Sequence, residues 1–175
     1  KKRTEIAELG EFGLIDRLTA NFKHHHATTI KGVGDDAAVL TTAEDEELVM
    51  TTDSFFEGDD FDLTCFPLKH LGYKCVTAVT GELYAEMAHP CTMDVRLGIS
   101  SKLDFKHIKE LWEGVVAAAK EHGYQKVSLD LCPSPNGLTV SVSSMGETSL
   151  LMAKRRPAAK SMDLICVSDN LGAAF

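Results

Sequence analysis

Three short stretches gather carboxylates beside glycine or threonine: Gly34-Asp35-Asp36, Thr51-Thr52-Asp53 and Glu57-Gly58-Asp59-Asp60. Magnesium takes oxygen ligands in an octahedron and keeps several waters, so a few carboxylates from separate loops can hold a metal-bound nucleotide. Glycines alongside them let the backbone approach phosphate oxygens. Phosphoryl transfer then needs mainly positioning and charge neutralisation, with little covalent chemistry from the protein. The same residues also suit solvated turns of an acidic protein, and spacing alone leaves both readings open. The chain has no GxxxxGK[ST] loop, no GxGxxG after a strand and no HExxH.

Other chemistry-bearing residues carry weaker signals. His24-His25-His26 could grip a transition metal, but adjacent histidines do not easily face one ion, so a solvated loop is expected. Cys132 has no neighbouring His or Lys in sequence to lower its thiol pKa, so no nucleophile is expected there. Trp112 falls on an apolar helix face and reads as core; it could stack on adenine only if that helix borders a nucleotide. Glu57 could hold a local turn or touch magnesium-bound water. Lys154 and Arg155 read as exposed linker charges.

Composition narrows the partners. The 175 residues carry 26 Asp plus Glu against 18 Lys plus Arg, a net charge of −8. An acidic surface repels phosphate backbones, which speaks against nucleic acid. The hydrophobic fraction of 44% and charged fraction of 25% are those of an ordinary globular protein. Five cysteines without a CxxC pair suggest reduced thiols in a cytoplasmic protein and neither a disulfide framework nor a zinc site. No apolar run is long enough for a membrane span, and no signal-peptide core follows Lys1-Lys2-Arg3. With no initiator Met and an abrupt end at Ala173-Ala174-Phe175, the chain is expected to be a fragment.

The elements that must position these residues follow from periodicity. Ile6 to Phe22 spaces apolar residues as a helix does, and Asn21 to Thr29 reads as a polar connection. Strands are expected at Ala37–Leu40 and Leu48–Thr52, then a helix from Pro67 to Met87 with Pro67 at its first position. Met93 to Ser100 alternates as a half-buried strand. Asp104 caps an amphipathic helix that runs along Phe105, Ile108, Leu111, Trp112, Val115, Val116 and Ala119 and closes at Gly123. Lys126–Leu131 and Leu138–Met145 read as hairpin-like strands joined by the Pro133-to-Gly137 turn. Lys154 to Lys160 is a basic, proline-containing linker, and Asp163 to Ser168 starts a further strand. Strands and helices mixed in this way predict an α+β fold.

One family collects these pieces in order. Gly10-Glu11-Phe12-Gly13-Leu14-Ile15, Gly32-Val33-Gly34-Asp35-Asp36-Ala37-Ala38-Val39-Leu40, Thr51-Thr52-Asp53, Glu57-Gly58, Phe66-Pro67 and Leu71-Gly72-Tyr73-Lys74 resemble the opening of the thiamine-monophosphate kinases. Val140-Ser141-Val142 with Gly146-Glu147, and Asp163-Leu164-Ile165-Cys166-Val167-Ser168 followed by Leu171-Gly172-Ala173-Ala174, continue the resemblance over nearly the whole chain. The wider superfamily includes aminoimidazole ribonucleotide synthetase, selenophosphate synthetase and a hydrogenase maturation protein.

The resemblance implies an amino-terminal α+β domain, a mixed sheet packed by helices that pairs with its twin into a barrel across a homodimer. It divides the chain into an ATP- and magnesium-binding domain, 1–153, and a linker with the first strand of a truncated carboxy-terminal domain, 154–175. It implies ATP-dependent phosphorylation of a small-molecule acceptor, thiamine monophosphate, to thiamine diphosphate. Asp36, Thr51, Thr52 and Asp53 match its metal-binding groups; Asp130 matches the Asp of a GGDTT loop that contacts metal and nucleotide; Arg156 aligns with an arginine that contacts ATP. An Arg fork suits triphosphate oxygens.

The pattern also breaks. Where the family has NLSD, this chain reads Val79-Thr80-Gly81-Glu82. Glu82 could still ligate a metal, but its extra methylene moves the carboxylate, and Gly81 costs about 1 kcal/mol in a helix interior. GGDTT is replaced by Ser128-Leu129-Asp130-Leu131-Cys132, without its glycines or threonine hydroxyls. Asp60 stands where a substrate-contacting His is expected, and would repel a substrate phosphate. Ser168-Asp169-Asn170 lacks a usual glycine. The losses cluster at the site while the core pattern persists, which leaves two alternatives to the kinase: a non-catalytic nucleotide-binding or dimeric scaffold, and an enzyme with another phosphate acceptor.

Overall fold

The computed structural model describes residues 10–20, 29–31, 38–43 and 45–170. Helix α1 spans Gly10–Thr19, and strands β1, β2 and β3 span Thr29–Lys31, Ala38–Ala43 and Glu46–Phe56. Helix α2 covers Leu68–Ala85, β4 His89–Ile99, α3 Phe105–Glu121, β5 Lys126–Pro133 and β6 Thr139–Ser149. A 3-10 turn follows at Arg156–Ala158. The expected helix before Gly10 and the histidine loop 24–26 lie outside the described residues.

One mixed sheet runs in the order β1-β2-β3-β6-β4-β5. Neighbours are antiparallel except β4 and β5, which run parallel and are joined by the α3 crossover. Helices α2 and α3 cover one face. Strand β6 shows why: Val140, Val142 and Ser144 are buried toward the helices, while Ser141 and Ser143 take the alternate positions.

Both helices follow from local sequence. Leu68, Leu71, Cys75, Val76, Val79 and Leu83 recur at helical spacing and are buried, with Gly72 and Thr80, on one face of α2. Pro67 sits one residue earlier than expected, as the extended cap residue. At α3, Asp104 accepts the His107 N–H at 3.1 Å and His107 Nδ1 accepts the Asp104 N–H at 3.2 Å, a closed capping box. The helix stops at Gly123, whose φ of +77° a side chain would resist. The two helices cross in near backbone contact: a Cβ on Gly72 would lie 2.1 Å from the Leu111 carbonyl oxygen, and one on Gly114 1.9 Å from that of Lys69.

Two expectations are corrected. β5 and β6 are not a hairpin; the connection crosses the end of β4, where the Ser134 N–H donates to the Ile99 carbonyl at 2.9 Å, and β6 inserts between β3 and β4. Thr139–Ser149 is long enough to pair with both 11-residue strands, and its alternation suits a central position better than an edge. Residues 163–168 form no strand, because no described segment lies beside them to pair their backbone; Leu164 and Ile165 are 89% and 95% exposed.

Candidate functional site

The alternation of β3 divides the Thr51-Thr52-Asp53 group between two faces of the sheet. Thr51 is buried toward α2, and its hydroxyl donates to the Glu82 carboxylate of that helix. Asp53 follows two residues on and is exposed; its Oδ1 accepts the Ser54 N–H at 2.7 Å. Asp60 accepts the Phe56 N–H at 2.7 Å and fastens the turn after β3, in which Gly58 holds φ at +90°. The Lys74 ammonium reaches the Asp60 carbonyl at 3.4 Å and lies 5.2 Å from the centre of the Phe66 ring.

Cys75 reports the field at this end of α2. Burial pushes its thiol up to about 12; Lys74 opposes the shift, while the negative charges of Asp60 and Asp53 add to it. Both carboxylates therefore act on one buried position. Asp36 lies outside the described residues; Ala38, two residues on, pairs with Met50 beside Thr51.

Thr52 and Asp130 stand on the opposite, open face. There Thr52, Ser54, Asp94, Arg96, Ser128, Asp130, Ser141 and Ser143 line a depression of about 550 Å³. Thr52 and Ser143 hydroxyls are 2.8 Å apart, as are those of Ser54 and Ser141. Ser128 donates to the Asp94 carboxylate, and Arg96 pairs with Asp130 through Nε at 2.8 Å and Nη2 at 2.7 Å. Sequence reasoning missed Asp94, Arg96 and the serines. The only local signal was their alternation with buried residues along β4 and β6.

Glu57 belongs to the scaffold. Its Oε2 accepts the Leu138 N–H at 2.7 Å and fills the space where a side chain at Gly137 would stand. Trp112 packs against the main core, as expected. Arg156 opens the 3-10 turn with an exposed side chain, and Lys154 is exposed as expected, whereas Arg155 is half-buried. Cys132 is exposed, and all five cysteines are free thiols.

The Thr51–Glu82 pair and the nearby Asp53 offer oxygen donors of the kind a hard dication takes. Among the described residues no three His, Cys, Asp or Glu side chains converge as a metal cage. A magnesium ion carried on phosphates needs only one or two protein carboxylates, with waters completing its octahedron, so the helix-side donors fit that mode.

Residues 34–148 match the family described as AIR synthase related protein, N-terminal domain, and the chain belongs to that family. Within it, thiamine-monophosphate kinases are curated relatives. That of Bacillus subtilis (strain 168) is 28% identical over 166 residues, covering 95% of this chain and 51% of its own length. That of Mycobacterium tuberculosis (strain ATCC 25618 / H37Rv) is 29% identical over 167 residues, covering 95% and 49%. The chain thus spans about half the length of the curated relatives it matches.

Solved structures agree on the fold. The thiamine-monophosphate kinase of Stenotrophomonas maltophilia K279a superposes with a TM-score of 0.58 at 28% identity, over 83% of this chain and 44% of that one. A structure described as AaThiL complexed with AMPPCP and TMP gives a TM-score of 0.73 at 24% identity, over 85% and 45%. No described helix is long and apolar enough to cross a membrane.

Proposed function

We propose that this chain is the nucleotide-binding half of a thiamine-monophosphate-kinase-like phosphotransferase. It transfers the ATP γ-phosphoryl group to thiamine monophosphate at a site completed by a second copy and by a further domain. The observation that carries this reading is the alignment of 95% of the chain with curated kinases of that one activity. Thr51, Asp53 and Glu82 hold magnesium on the helix side of β3, with Asp36 a further ligand on the family match alone; Asp130 and Arg156 serve the nucleotide, and Asp60 the acceptor. The metal would neutralise charge on the transferring phosphate. The chain's own task is positioning: the Thr51–Glu82 bond ties α2 to β3, and the Asp60 turn orders the segment after β3.

The homodimer is supported by the sheet face that α2 and α3 leave uncovered among the described residues and by β5, whose outer edge pairs with no described strand and exposes Leu129 and Leu131. The boundary near residue 153 is supported by the exposed segment that follows, and exposed Leu164 and Ile165 suit a strand of the second domain.

A specific observation favours the non-catalytic alternative: positions 128–132, a glycine loop in the family pattern, here lie in strand β5 with side chains on both faces. A coupled assay on the longer protein that carries this chain separates the two. Steady, magnesium-dependent formation of thiamine diphosphate from thiamine monophosphate and ATP, abolished by Asp53→Ala, is the expected result. A folded, dimeric protein that makes none, and forms none with other phosphate acceptors, contradicts the enzyme.

A further inference from the structure

The carboxylate of Asp130 already holds a cation, and that cation is a side chain. Arg96 directs Nε and Nη2 at one oxygen, Oδ2, at 2.8 and 2.7 Å. The other oxygen, Oδ1, accepts the Leu131 N–H at 2.9 Å. Three N–H groups therefore converge on one carboxylate. The arrangement follows from register: Arg96 on β4 and Asp130 on β5 are partners in the parallel pair, so their side chains stand side by side on the open face. Asp94 and Ser128, partners two positions earlier, repeat the motif with a hydroxyl donor.

A guanidinium stays charged at any pH the protein survives. A dication approaching Asp130 must displace Arg96 or sit beside it, positive charge against positive charge. Asp94 lines the same depression two positions along β4, so without the guanidinium two carboxylates, with waters, would be left to face one ion.

We propose that Arg96 occupies the cation position of Asp130, so that this chain binds no divalent metal on the open face and confines metal to the helix side of β3. The resemblance would place a metal contact at Asp130, and the ion pair built there disagrees with it. The consequence for catalysis rests on the magnesium-nucleotide reading above; the exclusion of metal from Asp130 does not.

Manganese titration of the chain, with free Mn²⁺ followed by electron paramagnetic resonance, tests this. Both side chains are exposed, 67% and 62%, so substitutions there should leave the fold intact, which circular dichroism checks. Asp130→Asn should bind manganese as the unaltered chain does. Arg96→Met should gain one site, and Arg96→Met/Asp130→Asn should lose it again. Arg96→Lys, which keeps a positive charge, should gain none. The proposal is overturned if Asp130→Asn weakens manganese binding of the otherwise unaltered chain by about tenfold or more, or if Arg96→Met gains no site. An unaltered chain that binds no manganese, beside an Arg96→Met variant that binds one, would remove the magnesium reading and leave Arg96 in its role.

Discussion

On the helix-covered side of the sheet, β3, β6 and β4 present Phe55, Val140, Val142, Met93, Val95 and Leu97, all buried in one core with α2 and α3. One residue along the same strands, Ser54, Ser141, Ser143, Asp94 and Arg96 face outward to the open depression. The first face is held by close packing, down to backbone contact at Gly72 and Gly114; the second by hydroxyl pairs and an exposed ion pair. The lesson concerns where sequence can change. Substitutions on the packed face cost volume and burial. On the open face polar groups can be exchanged at little cost to folding, and it is there that Asp130 is paired with a guanidinium.

Stability measurements can break that contrast. Leu83→Ala, in the core beneath β3, should lower unfolding free energy by about 2–5 kcal/mol, and Gly114→Ala by about 1–3 kcal/mol through overpacking. Ser143→Ala on the open face should stay within about 0.5 kcal/mol. Urea unfolding of the three checks this, and a Ser143→Ala loss as large as that of Leu83→Ala would refute the division.

The thiols sharpen it next. Cys75 is buried and its thiol is pushed up to about 12, so it should resist a thiol reagent at neutral pH while exposed Cys132 reacts. In the unfolded chain the same thiol ionises near its ordinary 9.0. The folded state thus keeps a proton that the unfolded state releases, and stability should fall as pH rises from about 9 toward 12. A Cys75→Ser comparison isolates that slope.

The smallest effect belongs to Gly81. Nothing lies within 4 Å of a Cβ built there, so Gly81→Ala should stabilise α2 by about 0.5–1 kcal/mol, read as a modest rise in melting temperature.

What could be read from sequence was local. The α2 spacing, the Asp104 cap, the Gly123 stop and the alternation of β4 each depend on residues within a turn or two of one another. The partnerships were not legible. Pro133 to Gly137 has the residues of a tight turn, yet it carries the chain across β4, because strand pairing is decided by the whole sheet. Arg96 meets Asp130 across 34 positions and Glu57 meets Leu138 across 81, and no periodicity encodes either. The carboxylate motifs were visible as a set; that Asp53 shares the helix side with Thr51 followed from the strand's length, since the expected strand ends at Thr52 and the structure extends it to Phe56.

The helix-side acid group is the centre of the account, and calorimetric titration of this chain with ATP tests it most directly, with and without magnesium and beside Asp53→Ala. Magnesium-dependent binding that weakens by at least about tenfold in the variant is the result predicted. Binding that is indifferent to magnesium, or that survives Asp53→Ala unchanged, would contradict it.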